Sequence, residues 1–418
     1  EIGSGCQWSW YYKENGEWKL LDQRLKADGT LVILTSQEDI KDRAILTTND
    51  LGQIVYNELP WGEYQLTELT AKDGYVITQS VHTFTISKEA LEKTYTDQDV
   101  ITNQKTKISF DKISNVGSQT LSGAQFELTP VNGSEFAIEK DKITWTSDKD
   151  HSFTLDGYLI TGHTYQLKET VSPSEYSLPK DYIVIFKVNN DGTVTIQSVH
   201  IDNQEVTNIH DYVLVSSDHK TIQVKDDPLS ITFDKKDIHG NAIESTRGEA
   251  VFKLVEESKT IAENLTMTNG SLTIDNANGS LKLEKGKTYQ LIETTAPKGY
   301  ELTTITFSFN DYGLPVVNEI VQNDCHVEIR DQMVDINLTK TGMNTLESIE
   351  NDTIGYASFM IEPVSGSTFA DGSTTKIENI TTTNVNTVLK GQLVAGNQYL
   401  LKEVLAPKGY ETSDVVFE

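Results

Sequence analysis

Cysteine is nearly missing from this chain: Cys6 and Cys325 are the only two in 418 residues. They lie far apart in the sequence, which argues against a disulfide framework and makes Cys6 a free thiol near one end. Basic residues are also few. Lys and Arg number 35 against 62 Asp and Glu, a formal net charge of −27. A surface of that sign repels nucleic acid and anionic membranes, both of which demand basic patches. Methionine is scarce at 4 residues and amphipathic helix signals are weak; "SKEALEKTY" (Ser87–Tyr95) is the best candidate for one short helix. No run approaches a membrane span, and no signal peptide is present. The chain opens on "EIGSG" without Met, as expected of a mature or recombinant fragment. The histidines show no zinc pairing, and the Asp/Asn/Gly clusters lack calcium-loop spacing. "DGSTT" at Asp371 reads as a polar turn. No nucleophile elbow, P-loop or dinucleotide fingerprint appears. These absences predict no metal, no cofactor and no enzyme acting on an external substrate.

What is present is Thr, Val, Ile and Tyr in short alternating runs, separated by turns such as "NDG", "KGK" and "DYG". That pattern predicts an all-β chain of sandwiches. One segment recurs four times: "YQLTELTAKDGY" at Tyr64, "YQLKETVSPSEY" at Tyr165, "YQLIETTAPKGY" at Tyr289 and "YLLKEVLAPKGY" at Tyr399. Each box places a glutamate (Glu68, Glu169, Glu293, Glu403) four residues after its first tyrosine. A second tyrosine (Tyr75, Tyr176, Tyr300, Tyr410) follows seven later. Strand alternation puts that glutamate on the same face as the Tyr and the Leu, the face expected to be buried. The boxes are 101, 124 and 110 residues apart (169 − 68, 293 − 169, 403 − 293). Each therefore marks a domain-sized unit, since solenoid repeats are about 20–50 residues long.

The strands that open the later units carry a second inward charge. "KISFDK", "SITFDK" and "DINLTK" end at Lys112, Lys235 and Lys340, each in phase with two apolar residues. Nine residues before each lysine stands Asn103, Asp226 or Asp331, closing the preceding unit. A full unit thus offers a lysine in its first strand, a glutamate near its middle and an Asn or Asp in its last. Burying an isolated charge costs several kcal/mol or more unless it is paired or neutralised. Burial favours the neutral amine and the protonated acid. A neutral amine is a nucleophile, and a protonated glutamic acid can donate to a carbonyl and shuttle protons. The trio is equipped to form an amide cross-link, releasing ammonia from Asn or water from Asp. Proximity in the core supplies the effective concentration.

Boxes of the form Y-x-L-x-E-T-x-A-P-x-G-Y, with the opening lysine and closing Asn/Asp, resemble CnaB-type domains, the isopeptide-forming β-sandwiches of Gram-positive pilins and surface adhesins. The resemblance covers essentially the whole chain. It implies tandem CnaB-like (immunoglobulin-like) sandwiches in an elongated rod. The implied domains span 1–104 (divergent), 105–227, 228–332 and 333–418, the last without its final strand. It implies Lys112, Glu169 and Asp226 as one cross-linking set and Lys235, Glu293 and Asp331 as another. Asn208 in "EVTNIH" is an alternative acceptor to Asp226, which is preferred for its constant offset to the next lysine. In the first domain Glu68 and Asn103 are kept. Lys13 is the chosen partner, because Tyr11 precedes it as Phe110 precedes Lys112, with Lys19 as runner-up. The fourth has Lys340 and Glu403, and its acceptor is expected beyond Glu418.

The family further implies display at an extracellular location, on the cell wall or a pilus, and sortase-mediated attachment to peptidoglycan or other pilus subunits. No L-P-x-T-G sorting signal appears, as expected of a truncated C-terminus. No Y-P-K pilin motif is evident, and the lack of that polymerising lysine favours an ancillary (tip or basal) pilin or a non-polymeric adhesin over a shaft subunit. A second reading is an adhesin whose own domains bind a host matrix protein such as collagen or fibronectin. The aromatic cluster Trp8, Trp10, Tyr11, Tyr12 and Trp18 is expected to be packed core or an interface before it is a ligand surface.

Overall fold

The computed structural model describes residues 5–20, 23–25, 31–33, 45–53, 61–87, 101–340 and 357–418. The helix expected after Ser87 lies outside them. Among the described residues the regular secondary structure is nearly all strand, arranged as tandem sandwiches. It divides into two compact units, Glu1–Pro173 with Leu178–Asp227, and Ser174–Ser177 with Pro228–Glu418.

The second repeat, in the first unit, shows the architecture in full. Its opening strand, Lys107–Ser114, runs between the antiparallel strand Phe153–Asp156 and the parallel closing strand Thr221–Asp226. Val213–Val215 completes that sheet. The second strand, Gln125–Val131, pairs with the box strand, Thr164–Val171, inside an antiparallel sheet of six. The inner faces of the two sheets pack Ile108, Phe110, Ile222 and Val224 against Phe126, Leu128, Leu167 and Phe186. Alternation makes this possible: every second residue of each strand points inward and the intervening ones face solvent.

In the second unit the third repeat repeats the plan. Ser230–Asp237 lies between Ser271–Asp275 and the parallel strand His326–Asp331. Val251–Glu256 pairs with the box strand Thr288–Thr295 in the opposing sheet of six. The fourth repeat contributes a sheet of four, Ile377–Ile380, Ser358–Val364, Gln398–Leu405 and Asp414–Phe417. A short helix there, Val385–Leu389, buries Val385 and Leu389 at i and i+4.

The box explains itself locally. In the second repeat the buried Tyr165 hydroxyl accepts from Ile160 N–H and donates to the Glu135 carbonyl. Tyr399 does the same with Val394 N–H and the Thr368 carbonyl, and Tyr289 accepts from Glu284 N–H. The phenol thus satisfies an N–H of the turn entering its own strand and, in Tyr165 and Tyr399, a carbonyl of the loop after the second strand, groups that a buried Phe would leave unpaired. The second tyrosine bridges to the residue two past each closing Asn/Asp: Tyr75 to Lys105, Tyr176 to Pro228 and Tyr300 to Met333.

Glycine precedes that tyrosine in two places where repeats of one unit meet. Gly299 holds φ +85°, and a Cβ there would lie 2.3 Å from the Gly391 carbonyl oxygen. Gly74, at φ +83°, is equally close to the Gly157 oxygen. Backbone hydrogen bonds fill each space: Val334 N–H donates to Gly299 and Gly391 N–H to Val334, while Thr106 N–H donates to Gly74 and Gly157 N–H to Thr106. Only a residue without a side chain admits that approach.

The first repeat differs from expectation. Its strand Gln7–Glu14 pairs with the box strand Gly62–Thr70 and sets Trp8 opposite Glu68. Phe126 faces Glu169 and Phe252 faces Glu293 in the same way, so Gln7–Glu14 is a second strand, not an opening one. Lys13 therefore points away from Glu68, is more than a third exposed, and pairs with Glu63 at 2.5 Å. Lys19 pairs with Glu14 at the surface. Trp8 and Trp10 are core, whereas Trp18 is exposed.

Candidate functional site

The opening and closing strands run parallel in fixed register. Ser114 stands beside Asp226 and Asp237 beside Asp331, so each lysine, two positions earlier, shares the inner face with its aspartate. The glutamate arrives from the opposing sheet. Beside it the second and box strands shift register by one residue: between Gln7 and Trp8, Gln125 and Phe126, Val251 and Phe252, and Ser358 and Phe359. Bulges of this kind re-aim side chains, and all four sit next to the glutamate.

In the second repeat Lys112 Nζ lies 2.6 Å from Glu169 Oε2 and 2.6 Å from Asp226 Oδ1. In the third, Lys235 Nζ lies 2.8 Å from Glu293 Oε1 and 2.6 Å from Asp331 Oδ2. All six residues expose between 1% and 5% of their surface. One ammonium cannot neutralise two carboxylates in such a place, so one acid keeps its proton. Burial, reinforced by neighbouring Asp226, pushes Glu169 well above the usual carboxylate range, against the pull of Lys112. Burial also raises Glu293, opposed by Lys235 and helped by Asp331. The lysines are walled by aromatic rings: Phe126 and Tyr182 lie 6.0 and 5.6 Å from Lys112 Nζ, and Phe252 lies 5.4 Å from Lys235 Nζ. A cleft of ≈ 220 Å³ between Ile243, Gly248, Met267 and Pro297 reaches Lys235.

The other two boxes are incomplete among the described residues. Glu68 is buried, and Asn103 Nδ2 donates to its Oε1 at 2.7 Å. Burial raises the Glu68 carboxyl, and no described lysine pairs with it. Lys340 Nζ meets Glu403 Oε2 at 2.8 Å. Asn208 is exposed ahead of a short 3-10 turn, Ile209–Asp211, and is not brought to Lys112; the geometry takes Asp226. Cys6 and Cys325 are free thiols. Among the described residues no cluster of His, Cys, Asp and Glu could hold a metal ion, and no helix is long and apolar enough to cross a membrane.

One position escaped the sequence reading. The carbonyls of Ser80, Tyr182, Thr303 and Ser413 accept the N–H of Glu68, Glu169, Glu293 and Glu403 in turn. Thr303 N–H also donates to Glu293 Oε2 at 2.8 Å, and Ser413 N–H to Glu403 Oε2 at 3.0 Å. The spacing from the glutamate varies from ten to thirteen residues (413 − 403 and 303 − 293 against 182 − 169), so no motif marks it.

Three stretches, 14–100, 106–203 and 229–324, match the SpaA family, described as a prealbumin-like fold domain. The chain belongs to that family. No curated protein matches it. Among solved structures these SpaA-type repeats are similar to a C-terminal fragment of the pilus adhesin SpaC from Lactobacillus rhamnosus GG. Identity there is 19%, over 56% of this chain and 99% of that one, with a TM-score of 0.29. The longer SpaC structure in its open conformation matches at 16% identity, over 80% of this chain and 42% of that one, TM-score 0.29. This chain thus spans less than half of that adhesin. A streptococcal ancillary pilin matches at 17% identity, over 79% of this chain and 93% of that one, TM-score 0.24.

Proposed function

We propose that this chain is a surface protein or ancillary pilin of a Gram-positive bacterium, of the CnaB type. In this reading its repeats form a stalk braced by autocatalytic Lys–Asp isopeptide bonds. The observation that carries the reading is the pair of buried trios, Lys112–Glu169–Asp226 and Lys235–Glu293–Asp331, in one register in two repeats. A buried ion pair is poor value for stability, since apolar residues of similar size do as well or better. Two such trios with a protonated acid in each are better explained by chemistry.

Proton transfer from the ammonium to the aspartate leaves the lysine a neutral amine, whose nitrogen adds to Cγ of the resulting aspartic acid. The C–N bond forms, one carboxyl oxygen collects two protons by way of the glutamic acid and departs as water, and the glutamic acid is regenerated. The sum is one ammonium and one carboxylate giving one amide and one water. Contact at 2.6 Å within a rigid core replaces a bimolecular encounter. The amide joins the first and last strands of its sandwich, so a pull on the chain passes through a covalent bond. It needs no oxidising compartment. The partners are other pilus subunits or peptidoglycan, and the role is support of host adhesion at the cell surface.

Intact-protein mass spectrometry tests this directly. The expected mass is that of the sequence less two waters, with tryptic peptides joining Lys112 to Asp226 and Lys235 to Asp331. A mass equal to that of the sequence would sink the proposal.

A further inference from the structure

The two complete sites differ at the position opposite the glutamate. In the third repeat the Thr303 hydroxyl donates to Asp331 Oδ1 at 3.0 Å, while Lys235 Nζ lies 2.6 Å from Oδ2 of the same carboxyl. The two oxygens are therefore held by different groups, one by the amine and one by a fixed neutral donor. In the second repeat the equivalent residue is Tyr182. Its hydroxyl is committed to the Tyr212 carbonyl, and its ring lies against Lys112. Asp226 there has the Glu169 carboxyl as its neighbour instead.

We propose that Thr303 is a catalytic residue of the cross-linking step in the third repeat, and that it decides which oxygen stays. The inference rests on the isopeptide reading above. When Lys235 Nζ adds to Cγ, the carbonyl π electrons move onto Oδ1, where the Thr303 hydroxyl already points. Oδ2 faces Nζ and, through it, Glu293 Oε1, 2.8 Å from the same nitrogen. The protons released by the amine pass by that route to Oδ2, which leaves as water. Oδ1 then returns to a carbonyl, now the amide oxygen. A donor placed in advance on the oxygen that gains charge acts without reorganisation. Thr303 also fixes the acid itself, since its backbone N–H holds Glu293 Oε2 at 2.8 Å. Substitution of the side chain leaves that second contact in place, so the hydroxyl can be tested alone.

The test uses the full chain made in a short cell-free pulse, with both cross-linked tryptic peptides followed over time by mass spectrometry. The Lys112–Asp226 link in the same molecule is the internal clock. Thr303→Val, which keeps the shape and removes the hydroxyl, is expected to slow the Lys235–Asp331 link by about 10²-fold, the loss typical of one oxyanion donor. Thr303→Ala is expected to slow it alike, and Thr303→Ser to restore it to within a few-fold. The clock link keeps its rate in all three. A valine or alanine variant that links at the parental rate refutes the role of Thr303 and leaves the isopeptide reading standing. So does a serine variant as slow as valine, which would mark a packing effect. Absence of both links from the parent chain overturns the reading itself.

Discussion

Removing Glu169 offers the most direct measure of what the proposed bond contributes. Glu169→Ala takes away the proton carrier, so Lys112 and Asp226 stay in contact but unjoined. In the parent the proposed link closes a loop of 114 residues (226 − 112), and returning that freedom to the unfolded chain is worth about 5 kcal/mol by loop-closure entropy. Unfolding entropy of roughly 2.1 cal/mol/K per residue, over roughly 120 residues in one repeat, gives about 250 cal/mol/K. A loss of about 5 kcal/mol then lowers the transition of the second repeat by about 20 °C. Scanning calorimetry reads the shift while intact mass, on the same sample, reads the return of one water. Glu169→Gln controls for the cavity that alanine leaves, because it keeps the volume and removes the acid; both variants should shift alike. The third-repeat link stays in place, since its trio shares no residue with the second. A variant that keeps the parental mass deficit refutes the role of Glu169. One that regains the water yet melts within about 5 °C of the parent refutes the energetic argument.

Other outcomes follow from the same geometry. Asp226→Asn should still link to Lys112, releasing ammonia, and the linked product should have the same intact mass as linked parent; a mass lighter by one unit would mean that no link formed in either. The buried Tyr165 phenol is pushed up to about 12 by desolvation, so the folded state keeps a proton that the unfolded chain sheds above pH 10. Stability is then full below pH 10 and falls by about 3 kcal/mol as pH rises toward 12. Tyr165→Phe, measured by denaturant titration, should flatten that decline. Gly299→Ala places a Cβ against the Gly391 carbonyl at φ +85°. Hydrogen exchange at Val334 and Gly391 should speed by about tenfold or more, from a strain of about 1–2 kcal/mol. Unchanged exchange there would show that the backbone yields at no cost.

Much of the site was legible because period-two alternation fixes which side chains share a face. Glu169 and Glu293 could be placed inward from Tyr165, Leu167, Tyr289 and Leu291 alone. The nine-residue step from Asp226 to Lys235 likewise marked where one repeat closes and the next opens. Lys13 shows the limit of that logic. An aromatic two residues before a lysine occurs on any inward-facing strand, and strand order is a matter of pairing. Trp8 opposite Glu68 makes Gln7–Glu14 a second strand, a fact that no local pattern encodes. Asn208 and Asp226 both follow Glu169 at a plausible distance; the nine-residue offset to Lys235 favoured Asp226, and tertiary contact puts Asp226 beside Lys112. Thr303 and Ser413 were invisible because the loop between the glutamate and its partner varies in length.

The chain's alternation, its repeated boxes and its want of cysteine determined by themselves that it folds as tandem β-sandwiches with ionisable groups turned inward. Local side-chain direction is a property of the extended backbone, so sequence suffices for it. Which inward groups meet was decided by the tertiary structure: the parallel pairing of first and last strands, the bulge beside each glutamate, and the facing of two sheets. Those depend on the register and packing of segments dozens of residues apart, which a one-dimensional pattern does not carry.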